Sequence, residues 1–157
     1  MQRAMPRRSD PLDKSTHRKS GAYLFNLTWD LLAKKRRTAG ETDELIHAAH
    51  ASRYHWGRAG RPLNLAIGEW QLSRVYANVG RSEPALHHAR LSLAIVRRHR
   101  LAPFYLAYAH EALARAHALN GARGEVAREL RAARRAGSEV RNRDDRRMLE
   151  EDLATIG

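Results

Sequence analysis

Leu72, Ser73, Tyr76 and Gly80, followed by Ala85, Leu86 and Ala89, return later in the chain as Leu113, Ala114, His117 and Gly121, followed by Val126, Ala127 and Leu130. A helix, a glycine turn and a second helix, written twice, is the signature of stacked helical hairpins. Each such hairpin buries its apolar face only by leaning on a neighbour. Leu and Ala supply most of the apolar residues, whereas β-branched and aromatic residues are sparse. Unbranched side chains lose little rotamer freedom in a helix, so the composition agrees with the pattern. No alternating strand pattern competes with it.

Helix signals divide the chain further. Residues 1–20 are basic and hold Pro6 and Pro11 with almost no large apolar side chain, so they are expected to form a disordered tail. Arg3, Arg7, Arg8, Arg18 and Lys19 there would offer a basic arm. Residues 21–157 are expected to form one helical domain. Leu24, Leu27, Leu31 and Leu32 predict a first helix over 22–36, with Lys34, Lys35, Arg36 and Arg37 in its last turn opposing the helix dipole. Thr38 and Glu41 have capping-box spacing, which starts a second helix running to about Trp56, where Gly57 and Gly60 end it. Pro62 opens a third to about Val79, Ser82 caps a fourth over 83–98, and Pro103 opens a fifth to Leu119. A sixth is expected over 124–136. A seventh over 144–155 should bury Leu149, Leu153 and Ile156 as a terminal cap.

The motif positions in residues 65–136 resemble the tetratricopeptide-repeat family. Leu72, Ser73, Tyr76, Gly80, Ala85 and Ala89 match in the first copy, and Leu113, Ala114, Gly121 and Leu130 in the second. The resemblance implies an all-α fold of about seven helices, with antiparallel hairpins stacked as a short α-solenoid. The copies lie 114 minus 73, or 41, residues apart, longer than the family's repeat of about 34. The stretch around 97–103 must therefore hold an extended helix or a longer connection. Residues 47–57 are similar to small bacterial repeat-type proteins.

In that family the first helices of successive repeats line a concave groove that holds a peptide or protein. The corresponding positions are Ile67, Trp70, Arg74 and Asn78 in one copy, and Tyr108, Glu111, Arg115 and Leu119 in the other. Arg74 and Arg115 would grip a carboxylate or other small anion, and Trp70 and Tyr108 would offer flat apolar contact. The plain alternative is that the first or the last helix fills the groove.

The departures from the motif point to a second location. Glu69 and His110 stand where it calls for a bulky apolar residue, and His117 stands where it calls for Tyr. An ionisable group packed between helices costs several kcal/mol unless it is paired. One expectation is a polar network in which Glu69 bonds His110, with Tyr76 and His117 one turn along. The alternative is a catalytic or ligand pocket built from Glu69, Tyr76, His110 and His117. Nine His and no Cys also raise a divalent metal, with His47, His50, His55, Glu69, His110 and His117 as candidate ligands.

Other chemistries lack their motifs. The position four after His110 is Ala114, so the zinc-protease helix motif is absent, and neither a phosphate-binding glycine loop nor a nucleophile elbow occurs. Without Cys there is no disulfide or thiolate site, and no apolar run is long enough for a membrane span, which leads to the expectation of a cytoplasmic protein. The formal charge of +12 brings nucleic acid into consideration, with Arg90, Arg97, Arg98, His99 and Arg100 as the candidate patch. With few aromatics to stack on bases, it ranks below a protein or peptide partner. A homodimer through an open repeat face is also expected to be feasible.

Overall fold

Prolines set the frame of the central hairpins. Pro62 and Pro103 each occupy the first turn of a helix, where a missing N–H costs nothing, and they are separated by the same 41 residues as the repeated motif. The computed structural model describes residues 9–157. Its helices are α1 (Lys14–Ala33), α2 (Ala39–Ala59), α3 (Pro62–Asn78), α4 (Ser82–Arg98), α5 (Pro103–Ala118), α6 (Arg123–Gly137) and α7 (Arg143–Ala154). There is no strand among the described residues. The helices pair as hairpins α1/α2, α3/α4 and α5/α6, and α7 closes the end against α5 and α6.

The helices fall into two rows. The first helices touch one another, α1 with α3 and α3 with α5, and form an inner row. The second helices α2, α4 and α6 keep their backbones apart, with the His50 and His88 rings of α2 and α4 meeting at 5.5 Å, and form an outer row. Buried serines lock two of the hairpins by bonding a backbone carbonyl across the pair. Ser52 donates to Gly21 O at 2.8 Å, Ser73 to Ala85 O at 2.8 Å and Ser92 to Ala66 O at 2.9 Å. Small residues at these crossings, such as Ala85, Ala89, Ala107 and Ala133, have no exposed surface and let the backbones approach. Leu149 and Leu153 of α7, and Ile156 just beyond its end, are buried as the apolar spacing requires.

Several boundaries differ from the sequence expectation. Helix α1 begins at Lys14, so the expected loose tail is helical from that point. Asp13 accepts a bond from Thr16 N at 2.6 Å, and His17 and Gly21 of the early turns are buried. That burial is made by a histidine and a glycine, which apolar periodicity does not register. Arg3, Arg7 and Arg8 lie outside the described residues. The basic run 34–37 follows the helix rather than forming its last turn, yet Arg37 still reaches back to donate to Leu31 O at 3.0 Å. Gly57 lies within α2, and Gly60 is its C-cap. Ser82 is the first residue of α4, and the cap position belongs to Arg81.

The two glycine turns have one geometry. Arg81 N donates to Tyr76 O and Gly80 N to Ala77 O, and 41 residues later Ala122 N donates to His117 O and Gly121 N to Ala118 O. This double bond pattern needs a left-handed residue, supplied by Gly80 (φ 75°) and Gly121 (φ 65°). At the end of α4 the same turn recurs with Leu101 N bonded to Val96 O, but the left-handed position is Arg100 (φ 48°). An L side chain is strained there by about 1–2 kcal/mol. Urea unfolding should therefore show Arg100→Gly more stable than the parent by up to about 1 kcal/mol, and Gly80→Ala and Gly121→Ala each less stable by about 1 kcal/mol.

Candidate functional site

Four of the expected groove residues, Ile67, Trp70 and Arg74 of α3 and Tyr108 of α5, line a cavity of about 360 Å³ on the inner row. The spacing from 67 to 74 keeps the α3 residues on one helical face. Four of the nine remaining lining residues are aromatic, and Ala66 of α3 with Ser92 and Val96 of α4 complete the floor. Phe25 and Trp29 come from α1, Phe104 and Tyr105 from α5, and Met148 and Asp152 of α7 close one side. The rings pack in series, with Trp29 and Trp70 centroids 5.5 Å apart, Trp70 and Tyr108 5.5 Å apart at 80°, and Phe104 and Tyr108 4.9 Å apart. Phe25, Trp29, Phe104 and Tyr105 were not singled out from sequence, although the aromatic character of the first helix was visible. Thus α1 and α7 form walls of the groove and leave a cavity between them.

The polar end of the cavity is already satisfied from within. Glu111 is wholly buried, and its carboxylate accepts from Arg74 Nη1 at 3.0 Å, Arg115 Nε at 2.7 Å and Trp70 Nε1 at 3.3 Å. Arg115 also donates to Asp152 O at 3.1 Å and Thr155 Oγ1 at 2.9 Å, which ties α7 to α5. Tyr108 donates to Asp152 Oδ2 at 2.7 Å. Burial, and then this bond to a carboxylate, push the Tyr108 phenol far above its ordinary value, so it remains a donor. Two arginines face two carboxylates, Glu111 and Asp152, so this end has no excess charge for an anion. Asn78 lies outside the cavity and bonds Arg37, and Leu119 is an exposed cap residue.

Glu69 and His110 do not bond each other. Each is instead paired inside its own hairpin. Glu69 of α3 meets His88 Nδ1 of α4 at 2.7 Å, and His110 Nδ1 of α5 meets Glu129 of α6 at 2.6 Å. Both pairs span 19 residues, and they occupy equivalent positions 41 residues apart with acid and base exchanged. Arg53 of α2 adds a bond to Glu69 at 2.7 Å. Burial alone would raise the Glu69 pKa, but the His88 bond and the Arg53 charge outweigh it and hold the carboxyl below its usual range.

Of the other candidates, Tyr76 and His50 join Glu69 around His88, whose ring lies 5.5 Å from that of His50, and the rest lie apart. Tyr76 meets His50 Nε2 at 2.8 Å and stacks parallel to His88 at 5.7 Å. Burial, and then the neighbouring His88, lower the His50 pKa. His117 lines a different cleft with Arg90, Leu113 and Arg128. His55 Nδ1 meets His17 Nδ1 at 2.8 Å, and His17 Nε2 bonds Asp10, which also accepts from Arg58. His47 is exposed on α2. The six histidine and glutamate positions considered for a metal therefore do not converge. Among the described residues no group of three or more His, Asp or Glu side chains is arranged to hold a metal ion. No helix among them is long and apolar enough to cross a membrane.

Compared with known proteins, the chain matches no protein-family model, no curated protein and no solved structure. The repeat character thus rests on the chain's own internal register.

The paired groups make two predictions. His110→Glu alone sets two carboxylates face to face between α5 and α6 and should cost about 3 kcal/mol in chemical denaturation. His110→Glu with Glu129→His restores a pair of the polarity found in the other hairpin and should recover most of that loss. A second prediction concerns acid. His50 and His55 have lowered pKa values in the fold, so the unfolded chain binds more protons below their ordinary value of 6.5. Their contribution is complete above pH 6.5 and is lost as pH falls through the folded values. That of Glu69 is present above 4.5 and is lost as pH falls further. Melting temperature should thus decline in two stages on acidification, and Glu69→Gln should remove much of the lower stage.

Proposed function

We propose that this protein is a binding module, tetratricopeptide-like in plan, which receives a bulky apolar side chain of a peptide or protein partner in its inner-row cavity. The observation that carries this proposal is the open cavity of about 360 Å³ walled by Trp29, Ile67, Trp70, Phe104, Tyr105 and Tyr108. Its volume lies in the range typical of ligand pockets, whose walls are mainly apolar with a few polar groups to fix orientation. The rings are held by mutual packing and by the bonds from Trp70 to Glu111 and from Tyr108 to Asp152, so the site needs little reorganisation before binding. Because Arg74 and Arg115 already serve internal carboxylates, shape and apolar contact favour a neutral occupant over a small anion.

Burial of one Leu or Phe side chain gives about 1.5–3 kcal/mol, or roughly a 10- to 100-fold change in affinity. Selection from a random peptide library should therefore enrich sequences with a bulky apolar residue. Their binding should alter the emission of Trp29 and Trp70 and weaken at least about tenfold in Ile67→Glu, which places a charge in the wall. Enriched peptides that bind Ile67→Glu as well as the parent would exclude the cavity as the site.

A further inference from the structure

The excess positive charge is not spread evenly over the two rows. Helix α3 carries one arginine and one glutamate, Arg74 and Glu69, and α5 likewise carries Arg115 and Glu111, so these two inner helices are neutral, while α1 carries Lys14, Arg18 and Lys19 against Asp30, three minus one, or +2. On the outer row, α4 and the turn after it hold Arg90, Arg97, Arg98 and Arg100 against Glu83, four minus one, or +3. Helix α6 holds five arginines against Glu125 and Glu129, five minus two, again +3. Together these two segments carry half of the chain's formal +12.

The arginines differ in what they touch. On α6, Arg128 is paired with Glu125 and Glu129, and Arg134 with Glu150. Arg90, Arg97, Arg98, Arg100, Arg131 and Arg135 are exposed, and among the described residues none of them pairs with a carboxylate. Arg90 and Arg131 stand 41 residues apart, at equivalent points of the two hairpins. Arg97 lies two turns beyond Arg90 on the same side of α4, about 10 Å along the axis, and Arg135 lies one turn beyond Arg131. Two successive outer helices thus each present exposed guanidinium groups along one side, in register at Arg90 and Arg131.

We propose that the outer face of α4 and α6 binds the phosphate backbone of double-stranded DNA without reading its sequence. The guanidinium fork matches phosphate oxygens, and unpaired arginines need not first give up a protein carboxylate. The chemistry of the face distinguishes a duplex from other polyanions. Single strands are usually held by aromatic rings set among the cations, but Trp70 of α3 and the aromatic side chains of α5 line the inner cavity, Tyr76 is buried between helices, and α4 and α6 contain no aromatic side chain apart from histidine. A membrane-surface helix carries bulky apolar residues to insert beside its basic ones, and Leu91 is the one large apolar side chain exposed on α4 and α6 among the described residues. The site is independent of the inner-row cavity and stands or falls without it.

Fluorescence anisotropy with a labelled 20-base-pair DNA duplex, titrated over a series of salt concentrations, tests this proposal. Four to six phosphate contacts give a slope of log K against log salt of about −3.6 to −5.4, the same for unrelated sequences. The fourfold variant Arg90→Gln, Arg97→Gln, Arg131→Gln, Arg135→Gln alters exposed side chains and should keep its circular dichroism. Its slope should become shallower by about 0.9 for each lost contact. A second variant removes four exposed cations of α1 and the connection after it instead, as Lys14→Gln, Arg18→Gln, Lys19→Gln and Lys35→Gln, and should retain the parent slope. Equal losses in the two variants would mean that net charge rather than this face binds, and would overturn the proposal. So would tighter binding to a single strand than to the duplex, or binding to phosphatidylserine vesicles with none to DNA.

Discussion

The carboxylate of Glu111 has no exposed surface, and the shape of the inner row depends on how its charge is met. Two arginines and an indole N–H converge on it, from α3 through Arg74 and Trp70 and from within α5 through Arg115. A buried charge that loses its partners is destabilising by several kcal/mol, so these side chains are held in place by the penalty for leaving. Arg115 then extends to α7, and Tyr108 reaches Asp152 on the same helix. One ionic centre thereby fixes the spacing of α3 and α5 and the position of the helix that walls the cavity. Trp70 is oriented by its bond to Glu111, and the remaining rings pack outward from it.

The second buried polar element works within hairpins. Glu69 with His88, and His110 with Glu129, put the same bond at the same place in consecutive repeats with the polarity reversed. Reversal preserves the geometry because either order places one carboxylate against one imidazole nitrogen. It also explains why the departures from the repeat motif occur together: an ionisable residue on the first helix of each hairpin requires a complementary one on the second. His88 and Glu129 fall outside the expectation of a Glu69–His110 bond because the complementary residue lies on the second helix of the same hairpin. The 19-residue separation common to both pairs was the available signal.

The two rows differ in physical character. The inner helices α3 and α5 are charge-balanced and, with α1, carry aromatic side chains into a shared cavity; outer helices α4 and α6 are narrow apolar stripes backed by exposed arginine. This division follows from the contacts. An inner helix meets neighbours on several sides and must satisfy every polar group internally, whereas an outer helix meets few neighbours and leaves its far side to solvent.

What the sequence by itself determined was local or periodic. The prolines at 62 and 103, the Thr38 and Glu41 capping box, the glycines at 80 and 121 and the apolar spacing of Leu149, Leu153 and Ile156 specify helix ends and faces, because each acts within a few residues along the chain. The 41-residue register specified a repeated hairpin, and the resemblance to tetratricopeptide repeats pointed to Ile67, Trp70, Arg74 and Tyr108, which line one cavity. Only the tertiary structure decided what met across the helices. It started α1 at Lys14 through the burial of His17 and Gly21, placed Arg74 and Arg115 on Glu111 rather than facing an external anion, gathered Glu69, His50 and Tyr76 around His88, and sent His55, His110 and His117 elsewhere. Pairing energies depend on distances of about 3 Å between groups far apart in sequence. The spacing of residues along a helix fixes the side on which a charge lies, and the packing of the helices fixes which charge it meets.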